Sequence, residues 1–257
     1  MLDRTSIKRS IVIYLTVLCI LVISIADGGC DNLHNNSDNE SNENTQPPSK
    51  YASFPTVIID AGHGGEDGGA VGEDGTLEKH LNLSIAFEID EMLRSMGVNT
   101  RLTRTEDVLL YDRNSNYNGH KKAQDAAARI AIAEEYDDAI FISIHMNSFP
   151  QKKYHGLQVY YSELSSESSR IAKEIQALTV KNLQPDNKRQ IKPIGKNVYI
   201  MNKIKHPAVL VECGFLSNPE ECALLTDKEY QSKLSLVISG AVLNYFESMQ
   251  NNPTEST

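Results

Sequence analysis

The chain has 257 residues, with 25 Lys and Arg against 34 Asp and Glu and a formal charge of −9. That balance argues against a nucleic-acid partner, which needs clustered cations for its phosphates. The length allows one or two domains.

The N-terminus is the one basic segment. Arg4, Lys8 and Arg9 precede an uncharged stretch from Ile11 to Ala26, the order of a charged n-region and an apolar h-region. As a helix this stretch rises only about 24 Å, short of the ~30 Å hydrocarbon core. Ser24-Ile25-Ala26 places small residues before a cleavage point after Ala26. Residues 1–30 are therefore expected to be a secretory signal, favoured over a permanent membrane anchor, and either would bring the N-terminal segment to a membrane. Cys30 follows Gly28-Gly29, but Asp27 stands where a lipoprotein signal wants an apolar side chain, so lipidation is disfavoured. Export implies an oxidising or wall-facing compartment. Residues 31–54 are rich in Asn, Ser, Asp and Glu and read as a disordered tether.

The folded domain is expected over residues 55–249, with 250–257 as a tail. Thr56-Val57-Ile58-Ile59 is a short β-branched run, read as a buried strand. Lys79–Met96 has apolar residues three to four apart and ends at Gly97, the pattern of a helix. Val98–Leu102 is a second strand, Ala123–Glu135 an alanine-rich helix with Ala126, Ile130 and Ala133 on one stripe, and Ala139–His145 a third strand. A fourth strand over Leu157–Tyr161, a helix over Glu167–Val180, strands at Val198–Met201 and Ala208–Val211, and a long helix over Asp227–Phe246 complete the order. Strands separated by helices imply an α/β fold, a parallel or mixed sheet covered on both faces. Cys213 and Cys222 could pair, but two buried free thiols are the favoured reading.

Four polar residues sit at the ends of these elements. His63 lies in a glycine-rich loop just past the first strand, Glu78 at a helix start, His145 at the end of Phe141-Ile142-Ser143-Ile144, and Glu212 directly after Ala208-Val209-Leu210-Val211. Each has a structural reading of its own. Glu78 could be an acid favoured by the helix dipole, with Thr76 as cap. Glu212 could form a core salt bridge with Arg104 or Arg129. The glycine loop fits neither phosphate pattern, and Glu66, Asp67, Glu73 and Asp74 within it would repel phosphate. Read together, two histidines and a glutamate are a ligand set for catalytic zinc, and a further carboxylate beside its water makes a hydrolase. Strand alternation puts His145 on the face of Phe141 and Ser143. Asp60 is a candidate acceptor for a ligand histidine, and Asn147, two residues past His145, a candidate for orienting substrate. Arg104 is a further candidate near the site. The other histidines lie in polar or turn-like stretches.

Val57-Ile58-Ile59-Asp60-Ala61-Gly62-His63-Gly64-Gly65, Glu78, Thr103-Arg104, Phe141–Asn147 and Pro207–Asn218 occur in an order that resembles the zinc-dependent N-acetylmuramoyl-L-alanine amidases, the type 3 amidase catalytic domain. The resemblance covers about Thr56 to Phe246. It implies a single α/β domain with a six-stranded mixed, mostly parallel sheet and helices on both faces. It implies one Zn2+ and a peptidoglycan substrate, cut between the lactyl group of N-acetylmuramic acid and L-alanine. Carried over by position, His63, Glu78 and His145 would hold the metal and Glu212 would be catalytic. The bare domain behind a hydrophobic N-terminus is most like the sporulation amidases, which strip stem peptides so that spore cortex can acquire muramic lactam. That likeness implies a place in the space around the forespore and an activating or targeting protein partner. The polar link Tyr111–Lys122 is longer than the family's usual one. The rival expectations are another zinc peptidase, such as a carboxypeptidase of cell-wall peptides, and a non-catalytic wall-binding module.

Overall fold

A computed structural model describes residues 50–114 and 119–251. The expectations for the signal, for all but the last residues of the tether, for Cys30 and for most of the tail lie outside those residues. The strands are β1 (Thr56–Ala61), β2 (Thr100–Leu102), β3 (Ala139–Asn147), β4 (Gln158–Tyr161), β5 (Lys192–Pro193) and β6 (Ala208–Phe215). The helices are α1 (Glu78–Ser95), α2 (Lys121–Glu134), α3 (Ser166–Asn182), α4 (Pro219–Thr226) and α5 (Lys228–Asn251). They form a single α/β domain around a six-stranded sheet of order β2-β1-β3-β6-β4-β5, parallel except where β4 meets β6.

Two expected elements are corrected. Val198–Met201 is not a strand: a 3-10 turn occupies Ile200–Asn202, and its Met201 side chain fills a small core with Ile58, Phe141 and Leu210. The sheet's last strand is instead the two-residue β5, paired with Tyr160 and Tyr161. Helix α4 was not expected. Its start is nevertheless written in the chain, since Asn218 caps the Glu220 and Glu221 N–H groups and Pro219 opens the first turn.

The alternation of the central strands divides the sheet into unlike faces. Val57, Ile59, Ile142, Ile144, Val209, Val211 and Cys213 point into the main core under α1, α3 and α5, together with Leu81, Ile85, Ile89 and Leu93 of α1. Cys213 and Cys222 are both buried free thiols. The opposite face carries the smaller core, covered by α2 and the 3-10 turn. On α2 the buried positions are Asp125, Arg129 and Ala133 rather than the expected Ala126–Ile130–Ala133 stripe. The helix turns an ion pair, not an apolar ridge, toward the end of β1.

Candidate active site

The sheet register builds the site. Ile144 pairs with Ala61 and His145 with Glu212, and Glu212 pairs in turn with Gln158. One row thus runs His145, Glu212, Gln158 across β3, β6 and β4 and is flanked by Gly62, the residue just past β1, on the face opposite the main core. Glycine is required at that flank: a Cβ on Gly62 would penetrate the His145 ring.

His63 and Glu78 reach this row from the adjoining loop and helix. His63 adopts φ 60°, a left-handed conformation rare for a side chain other than glycine, at a cost of about 1–3 kcal/mol. Its surroundings enforce it. Arg129 Nη2 donates to the His63 carbonyl at 2.8 Å, and Nδ1 of the ring meets Asp67 Oδ2 at 2.9 Å. Gly64 and Asp67 exchange backbone hydrogen bonds of 3.0 Å, which closes the turn and aims that carboxylate. Gly69 turns the chain back at φ 69°, where a Cβ would strike Glu78 and His63.

Glu78 is the first residue of α1, behind a Leu77 cap that offers no side-chain bond; Thr76 is not the cap. Its carboxylate is 2% exposed and saturated with donors. Oε1 accepts from the Met146 N–H at 2.9 Å and from Asn82 at 3.2 Å, and Oε2 from the Ala70 N–H at 2.7 Å. His145 Nδ1 lies 2.9 Å from Oε1 and His63 Nε2 3.3 Å from Oε2. Burial works against the charged form, but the two imidazoles outweigh it and hold Glu78 well below the usual carboxylate range. The same contacts act on His63. Burial pushes its pKa down, while Glu78 and Asp67 lift it to about 9.

The metal expectation can be tested on these groups. His63, Glu78 and His145 each offer a ligand atom, and the three atoms lie within 4.8 Å of one another. Bonds of ~2.0–2.2 Å make this close to the span of one coordination sphere. Two imidazoles and a carboxylate held ionised are a donor set suited to zinc. The residues fit the group.

Glu212 stands in the same row with different surroundings. Its Oε2 is buried and has no hydrogen-bond partner among the described residues. Burial raises its pKa to about 7; the Glu78 charge adds to this and the two histidines oppose it. It forms no salt bridge with either arginine. Arg104 is 3% exposed and donates to the carbonyls of Ala61, Gly62, Lys79 and Glu106. It ties the His63 loop to the start of α1. Burial, followed by the charge of Arg129, brings its own pKa down to about 10. Arg129, 1% exposed, binds Asp60 Oδ1 at 2.6 Å and Asp125 Oδ2 at 2.8 Å.

Asp60 is therefore not the acceptor for a ligand histidine. Its oxygens take Thr103, Ser143 and Arg129, and the acceptor at His63 is Asp67. Asn147 borders an open cleft of about 390 Å³ beyond Glu212, shared with Gln158, Tyr160 and Phe215. A separate concavity of about 370 Å³ between Gly156 and Tyr230 is lined by none of His63, Glu78, His145 and Glu212. Sequence reasoning missed Asp67 and Arg129 as supports of the site. The His63-x-x-x-Asp67 spacing inside a glycine turn was the available signal for the first.

Comparisons with known proteins identify the family. The Amidase_3 family, N-acetylmuramoyl-L-alanine amidase, matches residues 57–244, and the chain belongs to it. The germination-specific N-acetylmuramoyl-L-alanine amidase of Bacillus subtilis is 34% identical over 213 residues, 83% of this chain and 89% of that protein. The amidase AmiA of Salmonella typhimurium is 30% identical, over 82% of this chain and 83% of its own length. Among solved structures, the CwlD amidase of Clostridioides difficile, in complex with the GerS lipoprotein, superposes with a TM-score of 0.72 at 37% identity. That match covers 76% of this chain and 99% of the other. The protein is an N-acetylmuramoyl-L-alanine amidase acting on peptidoglycan.

Proposed function

We propose that the protein is a zinc-dependent amidase whose metal is held by His63, Glu78 and His145 and whose proton carrier is Glu212. It cuts the amide between the lactyl group of N-acetylmuramic acid and L-alanine. The observation that carries the division of roles is the unpartnered, buried Oε2 of Glu212 in the same row as His145. When bound, zinc supplies Lewis acidity to the scissile carbonyl and to the attacking water. Glu212, with a pKa raised to about 7, accepts a proton from that water and delivers it to the departing alanine nitrogen. Asp67 fixes the His63 ring, and Asn82 and the Met146 N–H fix Glu78. Cys213 is no rival nucleophile, because it points into the opposite core and burial holds its thiol far above its usual range.

We further propose a role in spore germination, through removal of stem peptides where cortex acquires muramic lactam; the germination-specific relative supports this. Residues 1–30 export or anchor the chain at a membrane facing the wall or the forespore-surrounding space, residues 31–54 tether the domain, residues 55–249 are that domain, and 250–257 are a tail. A protein partner that activates or targets it is supported by the complex formed by the Clostridioides difficile relative.

The test is digestion of purified peptidoglycan. Stem peptides with a free N-terminal alanine should appear, stop with a chelator and return with added zinc. Release of single amino acids would instead indicate a carboxypeptidase. Binding without products would indicate a wall-binding module.

A further inference from the structure

The open cleft beyond Glu212 carries two cations, Arg189 and Lys192, that form no ion pair among the described residues. Lys192 is exposed and sits opposite Tyr160 in the β4–β5 register, on the face shared by Tyr160, Leu210, Gln158 and Glu212. At ~4.8 Å per strand it stands about 10 Å across the sheet from the β6 backbone. Arg189 lies beside it in the same cleft. Its Nε donates to the His155 carbonyl at 2.8 Å and its Nη1 to Gln158 at 3.0 Å, and its guanidinium carbon is 4.4 Å from the centre of the Phe215 ring. These contacts fix the guanidinium while Nη2 has no partner among the described residues. Neither cation forms an ion pair with a carboxylate among the described residues, although the charge of Arg189 is felt by Glu221, and the protein's formal charge is −9. Phe149 and Tyr154, edge to face at 5.1 Å, add an aromatic wall.

We infer that this cleft is the subsite for the stem peptide and that Arg189 and Lys192 read its free carboxylates. The inference rests on the amidase reading and adds a direction to it. In the substrate the carboxyl group of N-acetylmuramic acid is consumed in the scissile amide, so the glycan side is neutral there. Free carboxylates occur only on the peptide side, beyond the first alanine. A peptide extended from the row of Glu212 advances about 3.4 Å per residue, so the second or third stem residue lies over the pair. The Phe215 ring, 4.4 Å from the guanidinium carbon, holds Arg189 by a cation–π contact and leaves its free N–H edge for a carboxylate.

Two soluble substrates decide it: an N-acetylmuramoyl tripeptide with free stem carboxylates and the same compound with those carboxylates amidated. Wild-type kcat/KM should be about tenfold higher on the free acid, the weight of a hydrogen bond to a charged group, and the difference should lie mainly in KM. Arg189→Gln and Lys192→Gln should each lower activity on the acid and leave the amide unchanged, and Lys192→Arg should restore the preference. The Lys192 side chain makes no hydrogen bond or ion pair among the described residues, and its strand pairing is through the backbone, so its variant keeps the test open if Arg189→Gln unfolds. Equal treatment of both substrates by the wild type, or an equal loss on both in the variants, overturns the subsite. If neither soluble substrate is cleaved while purified peptidoglycan is, these compounds are too small for turnover and binding must be read instead. If peptidoglycan is not cleaved either, the zinc-amidase mechanism proposed above fails. Calorimetric binding of the two stem peptides to wild type and Lys192→Gln then decides the subsite without turnover: tighter acid binding lost in the variant supports it, and equal binding sinks it.

Discussion

The corner where α1 meets the His63 loop is saturated with donors, whereas the neighbouring stretch of β6 is not. Glu78 in the first region receives three N–H groups and two imidazoles. Glu212, one strand away from His145, has an oxygen with no hydrogen-bond partner among the described residues. The same side chain is thus held ionised in one place and lifted to about 7 in the other. Environment alone sets the two carboxylates apart, which is the difference the proposed division of roles rests on.

The largest effect should come from exchanging these roles. Glu212→Gln should keep zinc in stoichiometric amount, by metal analysis, and lower kcat by about 10²–10⁴-fold, the range of general acid–base catalysis. His145→Ala should lose zinc and activity together. A Glu212→Gln protein without metal, or a His145→Ala protein that keeps it, breaks the comparison.

Next comes the frame beneath the saturated corner. Arg129→Met leaves Asp60 and Asp125 buried without their cation. It should cost about 3–5 kcal/mol in urea unfolding, as for one partner removed from a buried pair. A loss under 1 kcal/mol would mean that the corner does not depend on α2. A smaller effect is expected at Asp67→Asn, which weakens the acceptor on His63 Nδ1 but leaves all three ligands. Zinc affinity should fall about 10–100-fold with little change in kcat at saturating metal. An equal fall in kcat at full zinc occupancy would put Asp67 in the reaction instead of behind the ligand.

How much of this was legible in the chain follows from how far apart the partners are. The central strands announced themselves because β1, β3 and β6 are β-branched runs buried on both sides. Their polar ends marked His63, His145 and Glu212, although β6 continues through Glu212 to Phe215. The two-residue β5 carries no pattern to read. Val198–Met201 misled because an apolar run can serve a turn that plugs a core as well as a strand. Asp60 and Arg104 were candidates to meet a ligand histidine and Glu212, and instead bind Arg129, Thr103 and Ser143 in the one case and backbone carbonyls in the other. Arg129 reaches Asp60 across 69 positions of sequence, and no local spacing encodes such a pair.

The mildest test concerns protons and separates the two regions by pH. In the metal-free protein the partners of His63 raise its pKa from 6.5 to about 9. The charged imidazole therefore stabilises the fold fully below pH 6.5, and this contribution is lost as pH rises through about 9. A cation needs the neutral ring, so zinc must displace that proton. Affinity should therefore rise by about tenfold per pH unit between 6.5 and 9 and level off above, for one proton released. Competition with a chromophoric chelator at several pH values measures the slope. Asp67→Asn removes one of the groups that raises His63, so its levelling point should move to lower pH. Glu212→Gln leaves both Glu78 and Asp67 in place and should keep the wild-type profile. If Glu212→Gln instead abolished the slope, the proton displaced by zinc would reside on β6 and not at the saturated corner.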